Sequence, residues 1–318
     1  MFWMMETYDM SIIFITHRLQ EVLRICDTVT VMRNGEVVTN LSVTPELTQN
    51  QIVDLMLGRS FEENFPKSVL TPGEVQFEVE DLADHEGKVN GISLYVRRGE
   101  IVGIAGLVGA GKTELCKLMF GAIKRSRGAI RLNGKAIKIR IPQSAVRNKI
   151  GMVPEERRRE GVMVDEPVYF NLSAACLTRF CSRLRFVYKK KELENAHRQI
   201  ESLHIKTPSE RQLVRYLSGG NQQKVVVGKW LSADCDVYIF DEPTKGIDVG
   251  AKREIFTLIQ DIAKAGKSVI YATCETSEIL SITDRVYVVY DGKVTKELVT
   301  SETTENEIMF YSTGTGGN

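Results

Sequence analysis

Residues 101–114 read IVGIAGLVGAGKTE, an apolar run that breaks into glycines and ends on Lys112, Thr113 and Glu114. The run is apolar enough to form a strand buried on both faces, and TELCKLMFG beyond it has the pattern of a helix. Between them Gly106, Gly111, Lys112 and Thr113 satisfy G-x-x-x-x-G-K-[ST], with Gly109 and Ala110 inside the loop. Glycines there let successive backbone N–H groups turn inward around phosphate oxygens. Lys112 adds a point charge for the outer phosphates, and Thr113 offers a hydroxyl to Mg²⁺ at a helix N-terminus. A strand of this kind needs parallel neighbours and covering helices, so the stretch predicts an α/β core that binds a nucleotide.

Two further segments extend the prediction. In VYIFDEPTKGID four apolar or aromatic residues deliver Asp241 to the carboxyl end of a strand, where sheets of this class bind ligands. Asp241 is placed to hold magnesium, and Glu242 to orient or deprotonate an attacking water. In LSGGNQQKVVVGKWL, Ser218, Gly219 and Gly220 precede a helix start, a second anion-binding arrangement in the same domain. One nucleotide does not require two such elements.

The chain also repeats itself. SIIFITHRLQEVLRICDTVTVMRNG (11–35) and SVIYATCETSEILSITDRVYVVYDG (268–292) align at a constant offset, sharing Thr16/Thr273, Glu21/Glu278 and Asp27/Asp284 besides the apolar positions and the turn glycine. SIIFITH reads as a buried strand, RLQEVLRIC as a short helix, TVTVMRNGEVV as a hairpin turning at Asn34–Gly35, and TQNQIVDLMLG as a helix closed by Gly58. RSFEENFPKSVLTPG (59–73) reads as a linker. Beyond it EVQFEVEDL and NGISLYVRRGE alternate as strands, and GAIRLNGKAI is a hairpin. Residues of about 165–215 are helix-rich, with KKKELENAHRQIESLHI a solvated helix. A helix over AKREIFTLIQDIAKAG, capped by Gly266, separates the buried strands VYIFDEP and SVIYAT.

Lys+Arg 42 against Asp+Glu 41 gives a net charge near +1, which excludes a globally basic nucleic-acid binder, so no nucleic-acid partner is expected. Six cysteines without paired metal spacing fit reduced thiols in a cytosolic protein, and no apolar run reaches the eighteen or so residues of a membrane span.

P-loop, LSGG element, DEPT and KGID occur in the order found in the ATP-binding subunits of ABC transporters, which residues 74–313 resemble. The resemblance implies a P-loop NTPase (ABC ATPase) core with a mixed, largely parallel sheet, an antiparallel β-subdomain and a helical subdomain. It further implies ATP and Mg²⁺ as cofactors and a dimeric site, in which Ser218–Gly220 read the γ-phosphate of ATP on a facing domain. Asp248 falls in the D-loop, Glu155 (MVPEER) at the Q-loop position and His17 at a switch histidine. Tandem domains with LSGGNQQK and KGIDVGAK look most like subunits of ribose, galactose and xylose importers. On that reading residues 1–58 are the end of a first nucleotide-binding domain, truncated at its N-terminal side, 59–73 a linker and 74–318 a complete second domain. The implied partners are transmembrane permease subunits, indirectly an external sugar-binding protein, and the missing first domain or a second copy. The implied location is the inner face of the cell membrane. A soluble ABC ATPase acting on nucleic acid or ribosomes, or a nucleotide-binding module without turnover, are the alternatives. A P-loop GTPase is disfavoured, because DEPT replaces D-x-x-G and no N-K-x-D base reader appears. Departures are Glu155 for the Q-loop glutamine, Cys274 at the position matching His17, and Lys112 where arginine is common in the second P-loop of tandem sugar importers. No aromatic stands clearly before the loop to stack on adenine, which leaves His85 as a candidate.

Overall fold

The structure, a computed structural model, describes residues 11–16, 19–33, 36–49, 51, 52, 55 and 71–314. The chain divides into two compact units, Met1–Pro66 with Asp248–Arg253, and Lys67–Ile247 with Glu254–Asn318.

In the first unit a helix, Leu19–Ile25, precedes the antiparallel pair β1 (Thr28–Arg33) and β2 (Glu36–Ser42). Leu19, Val31 and Ile52 form its small core, with Leu23, Val29, Leu47 and Leu55 packed against them. The next helical segment opens on a reciprocal cap, since Thr48 N donates to Gln51 Oε1 at 2.8 Å and Gln51 N to Thr48 Oγ1 at 3.3 Å. The buried strand expected over SIIFITH is not formed at residues 11–16, where Ile13 and Ile15 are 91% and 93% exposed. A strand needs a neighbouring strand to take up its backbone hydrogen bonds, and no β-ladder includes residues 11–16 among the described residues. His17, the turn Asn34–Gly35, Gly58 and residues 59–70 of the expected linker lie outside the described residues.

The second unit is built on two sheets. β3 (Val75–Asp84), β4 (Asn90–Arg97), β6 (Arg125–Leu132) and β7 (Lys135–Ile137) pair antiparallel in the order β4-β3-β6-β7. Asn133 (φ 50°) and Gly134 (φ 73°) make the β6–β7 turn, the left-handed pair that a two-residue hairpin demands. The larger sheet contains β5 (Ile101–Ala105), β8 (Ile150–Val153), β9 (Val237–Asp241), β10 (Ser268–Thr273), β11 (Arg285–Tyr290) and β12 (Lys293–Val299), in the order β12-β11-β5-β10-β9-β8. Its strands are parallel except for β12, which returns antiparallel on the edge. β5, β9 and β10 are buried at every residue, as their unbroken apolar runs require. Thr273 pairs with Ala105 and Ala272 with Asp241, so the carboxyl ends of three adjacent strands finish level with one another.

A helical region follows β8, with helices Val168–Ser173, Lys189–Ser202 and Gly219–Ala233. The helix Lys189–Ser202 is not solvated all round, because Glu192, Asn195, Ala196 and Gln199 are buried. Its buried face is mostly polar and is satisfied by hydrogen bonds: Ser173 Oγ donates to Glu192 Oε1 at 2.5 Å, and Asn195 Nδ2 to Ser232 Oγ at 3.0 Å. A charged periodicity therefore concealed an inward face. Among the described residues no helix is long and apolar enough to cross a membrane.

Candidate functional site

The glycine-rich turn leaves β5 at Gly106 and enters the helix Lys112–Phe120, with Gly109 at φ 86° and Gly111 at φ 102°. Both glycines hold left-handed backbone, which a side chain disfavours. The turn is also clamped from outside. A Cβ on Gly106 would stand 2.4 Å from the Val289 carbonyl oxygen, and one on Gly111 2.3 Å from that of Lys88. Ala110 fills the corner, and its carbonyl accepts from Gly292 N at 3.0 Å. Lys112 is only 6% exposed, and its Nζ donates to the carbonyls of Gly106 (2.8 Å) and Leu107 (3.1 Å). The turn thus presents a fixed cation within a ring of backbone, while Glu114 lies in the first helical turn beside it.

Asp241 and Glu242 reach this turn from the end of β9. Thr113 Oγ1 lies 3.1 Å from Asp241 Oδ1 and 3.3 Å from Glu155 Oε2. Asp241 is fully buried, and its Oδ2 has no hydrogen-bond partner. Burial raises its pKa to about 7 against the opposing hydrogen bond from Thr113, and the Glu155 and Glu242 carboxylates add to the rise. A buried, unpartnered oxygen beside a hydroxyl and a second carboxylate is a donor set of hard oxygens. It fits magnesium, which uses one or two protein carboxylates together with phosphate and water. No cluster of three or more His, Cys, Asp or Glu side chains able to hold a metal alone occurs among the described residues.

Glu242 is held from several directions. It has φ 44°, a strained value for a non-glycine residue, and its N–H donates to the Ala272 carbonyl at 2.9 Å. Its Oε1 accepts from Cys274 N at 2.7 Å and lies 3.9 Å from Lys112 Nζ, while Oε2 accepts from Thr273 Oγ1 at 3.1 Å. Burial raises its pKa, and Lys112 opposes the rise. Cys274 offers its backbone N–H here rather than a charge. Although the residue is exposed, partial desolvation of its thiol and the Glu242 carboxylate push the thiol up to about 11, so it stays neutral.

The remaining expected residues stand apart from this group. Ser218 caps the helix Gly219–Ala233 and its Oγ accepts from Asn221 Nδ2 at 2.9 Å, with Gly219 and Gly220 in the first turn. Among the described residues no hydrogen bond or ion pair joins Ser218–Gly220 to Lys112, Thr113, Asp241 or Glu242. Asp248 caps the helix Val249–Lys264, accepting from Ala251 N at 2.9 Å. Three residues that the sequence reading passed over join the site. Thr273 and Lys245 bind the Glu242 and Glu155 carboxylates, and Arg157 binds the carbonyls of Lys245 and Gly246. Thr273 ends the strand SVIYAT, and Lys245 follows DEPT directly, so the position of each beside a motif was the available signal.

Residues 89–245 match the family model described as ABC transporter. The chain is 39% identical over 308 residues to a ribose import ATP-binding protein of Clostridium tetani, covering 97% of this chain and 61% of that protein. It is 42% identical over 309 residues to a xylose import ATP-binding protein of Thermoanaerobacter pseudethanolicus, covering 95% and 61%. The chain thus spans about three-fifths of the length of the relatives it matches. A solved nucleotide-free ATP-binding cassette from an ABC transporter superposes with TM-score 0.63 at 22% identity, covering 74% of this chain and 99% of that one. A cassette solved in its ADP conformation gives 0.62 at 21%, covering 76% and 95%. At those identities the likeness concerns the fold alone, and it is the same α/β fold with two sheets and a helical region. With the turn, the DEPT strand and the LSGG helix start in place on that fold, the second unit is similar to the ATP-binding cassettes of ABC transporters.

Proposed function

We propose that the chain binds MgATP at the turn Gly106–Thr113 and hydrolyses it to drive uptake of a simple sugar through a membrane permease. The observation that carries this reading is the meeting of Lys112, Thr113, Asp241 and Glu242 at the ends of adjacent parallel strands, each within hydrogen-bond or ion-pair reach of another member of the group. Backbone N–H groups of Gly109–Gly111 and the Lys112 ammonium would hold the phosphates, with Glu114 in the first turn beyond them. Thr113 and Asp241, with Glu155 beside them, would hold magnesium, which when bound neutralises developing phosphate charge. Glu242, oriented by Thr273 Oγ1 and Cys274 N, would take the proton of the attacking water. A carboxyl whose pKa is raised by burial is a stronger base for that step. Ser218, Gly219 and Gly220 would face the nucleotide of a companion domain, at a site where His17 would be the switch histidine, and Asp248 would lie in the D-loop.

The relatives named for ribose and xylose import support a simple sugar as the cargo. On this reading residues 1–58 belong to a first nucleotide-binding domain, 59–73 link it to the second, and 74–318 are the second, working on the inner face of the cell membrane. Cross-links from a permease subunit are expected near residues 155–185. Cross-links confined to residues 130–140 would remove the importer reading and leave the ATPase one.

Thermal unfolding with and without millimolar MgATP tests the nucleotide site, because a ligand bound only to the folded state raises Tm by mass action. Lys112→Ala is expected to weaken MgATP on the order of 10-fold to 150-fold, the range for losing a charged hydrogen-bond donor. No stabilisation of the unmodified chain would reject the site. Because Cys274 brings no charge to Glu242, a module that binds without turnover is the second reading. Single-turnover hydrolysis of bound ATP separates the two.

A further inference from the structure

In the helical region, just before the helix Lys189–Ser202, residues 181–188 form a hairpin in which Cys181 pairs antiparallel with Val187 and Tyr188 N donates to the Phe180 carbonyl at 2.7 Å. Its apex, residues 183–185, is a three-residue loop closed by Arg185 at φ 64°, the left-handed position such loops require. Ser182 ties the apex from inside. Its carbonyl accepts from Arg185 N at 2.9 Å, its N–H donates to the Phe186 carbonyl at 2.8 Å, and its Oγ accepts from Leu184 N at 3.2 Å and Phe186 N at 3.1 Å. The N–H groups of Ser182, Leu184, Arg185, Phe186 and Tyr188 are therefore met inside the hairpin, without water.

What this ordered turn holds outward is apolar. Leu184 is 80% exposed and Phe186 73%, with Val187 and Tyr188 exposed beside them. A single exposed leucine is ordinary, whereas adjoining apolar side chains on a turn tied to hold them mark a contact surface. Charge indicates what that surface meets. From residue 167 to 191 there is no Asp or Glu, while Arg179, Arg183, Arg185, Lys189, Lys190 and Lys191 all fall in the stretch. Arg179 is matched by Asp234 at 3.8 Å and Lys189 by Glu192 at 3.2 Å. Among the described residues no ion pair takes up Arg183, Arg185, Lys190 or Lys191, which are all exposed.

A partner of matching chemistry offers negative charge and, directly beneath it, an apolar layer that admits leucine and phenylalanine. An anionic lipid surface has both, whereas a nucleic acid supplies charge without an apolar layer for an aliphatic side chain. We propose that the hairpin 181–188, with Lys190 and Lys191 behind it, docks directly on an anionic phospholipid bilayer, Leu184 and Phe186 entering the acyl boundary and the four unpaired cations lying among the headgroups. The long Lys and Arg stems let the charges stay in the headgroup layer while the apex enters. The proposal goes beyond the nucleotide and importer readings and needs neither, since the contact is made to lipid and not to a permease.

The test is cosedimentation of the full 318-residue chain with vesicles of phosphatidylglycerol and phosphatidylcholine in equal parts, against vesicles of phosphatidylcholine alone, without nucleotide or permease. Binding is expected to the anionic vesicles only, and it should fall as salt screens the headgroups. Arg183→Gln combined with Arg185→Asn is expected to weaken it about 30-fold, from about fivefold for each cation near such a surface, with asparagine tolerating the left-handed backbone. Leu184→Ser combined with Phe186→Ser is expected to weaken it on the order of 10-fold to 100-fold. All four side chains are exposed, so both double variants should keep the unfolding midpoint of the unmodified chain. Phe186→Trp, with Trp3 replaced by Phe, reports insertion directly, through quenching by brominated acyl chains in the anionic vesicles. Failure of MgATP to stabilise the chain would remove the nucleotide reading and leave the lipid contact standing. Equal sedimentation with the two kinds of vesicle, or unaltered binding in both double variants, would overturn the proposal. So would a chain that ignores vesicles but self-associates through Leu184 and Phe186, or binds RNA through Arg183 and Arg185, since the hairpin would then belong to a second copy or to nucleic acid.

Discussion

Gly111→Ala is expected to destabilise the second unit by roughly 2–6 kcal/mol, and Gly109→Ala by only about 1–2 kcal/mol, although both glycines hold positive φ. The common part is conformational, since alanine at φ 102° or 86° leaves the region where L-residues are comfortable. The difference is steric. A methyl on Gly111 would meet the Lys88 carbonyl oxygen at 2.3 Å, whereas nothing lies within 4 Å of one on Gly109. That oxygen belongs to backbone and cannot rotate aside, so relief requires the 84–89 connection or the start of the helix to shift. A loss of this size is a large share of the 5–15 kcal/mol typical of a domain. Denaturant unfolding followed through Trp230, with Trp3 replaced by Phe in every variant, checks the comparison. Equal midpoints for the two alanine variants at unchanged slope would show that the clamp yields and that backbone conformation alone sets the cost.

The elements around the turn were legible because their determinants are local. β5, β9 and β10 announce themselves as unbroken apolar runs, and a strand buried on both faces admits nothing else. The cap at Ser218 and the β6–β7 turn at Asn133–Gly134 are likewise set by residues in sequence contact. What the sequence concealed depends on distant partners. The Glu192 and Asn195 face of the helix Lys189–Ser202 reads as solvent-exposed until Ser173 and Ser232 are brought beside it. What Lys245 and Arg157 hold does not show in TKGID and PEERR, because their partners lie roughly ninety residues away. SIIFITH failed in the opposite sense. Its composition matches that of β10, yet a strand is made by its neighbours as much as by its own residues. At the site, the motifs gave the residue types, while the tethering of Glu242 by Thr273 and Cys274 N became visible only with strand register.

Asp241→Asn is expected to stabilise the metal-free chain at pH 8 by up to roughly 4 kcal/mol and to leave it nearly unchanged at pH 4. The argument turns on the direction of one pKa. In the folded chain burial lifts the Asp241 carboxyl from its ordinary 3.8 to about 7. The folded state therefore keeps a proton that the unfolded state has released, throughout the interval between those values. Stability contributed by this group is complete below pH 3.8 and is lost as pH rises through 7, after which folding must bury an ionised carboxylate whose Oδ2 has no partner. Asparagine removes the ionisation while keeping an oxygen for Thr113, so its advantage appears over the same interval and persists above it. The substitution should also abolish the part of MgATP stabilisation that depends on magnesium, because the carboxylate is what a divalent cation would neutralise. Stability is read from denaturant unfolding at pH 4, 6 and 8 in EDTA, and nucleotide binding from thermal shifts with and without magnesium. A gain of equal size at pH 4 and pH 8 would show that ionisation is not what makes Asp241 costly. Asp241 would be identified instead as a group whose cost is met when magnesium binds if the variant gains stability at pH 8 only and loses its response to the metal, the coupling expected where one carboxylate is held buried for a cation.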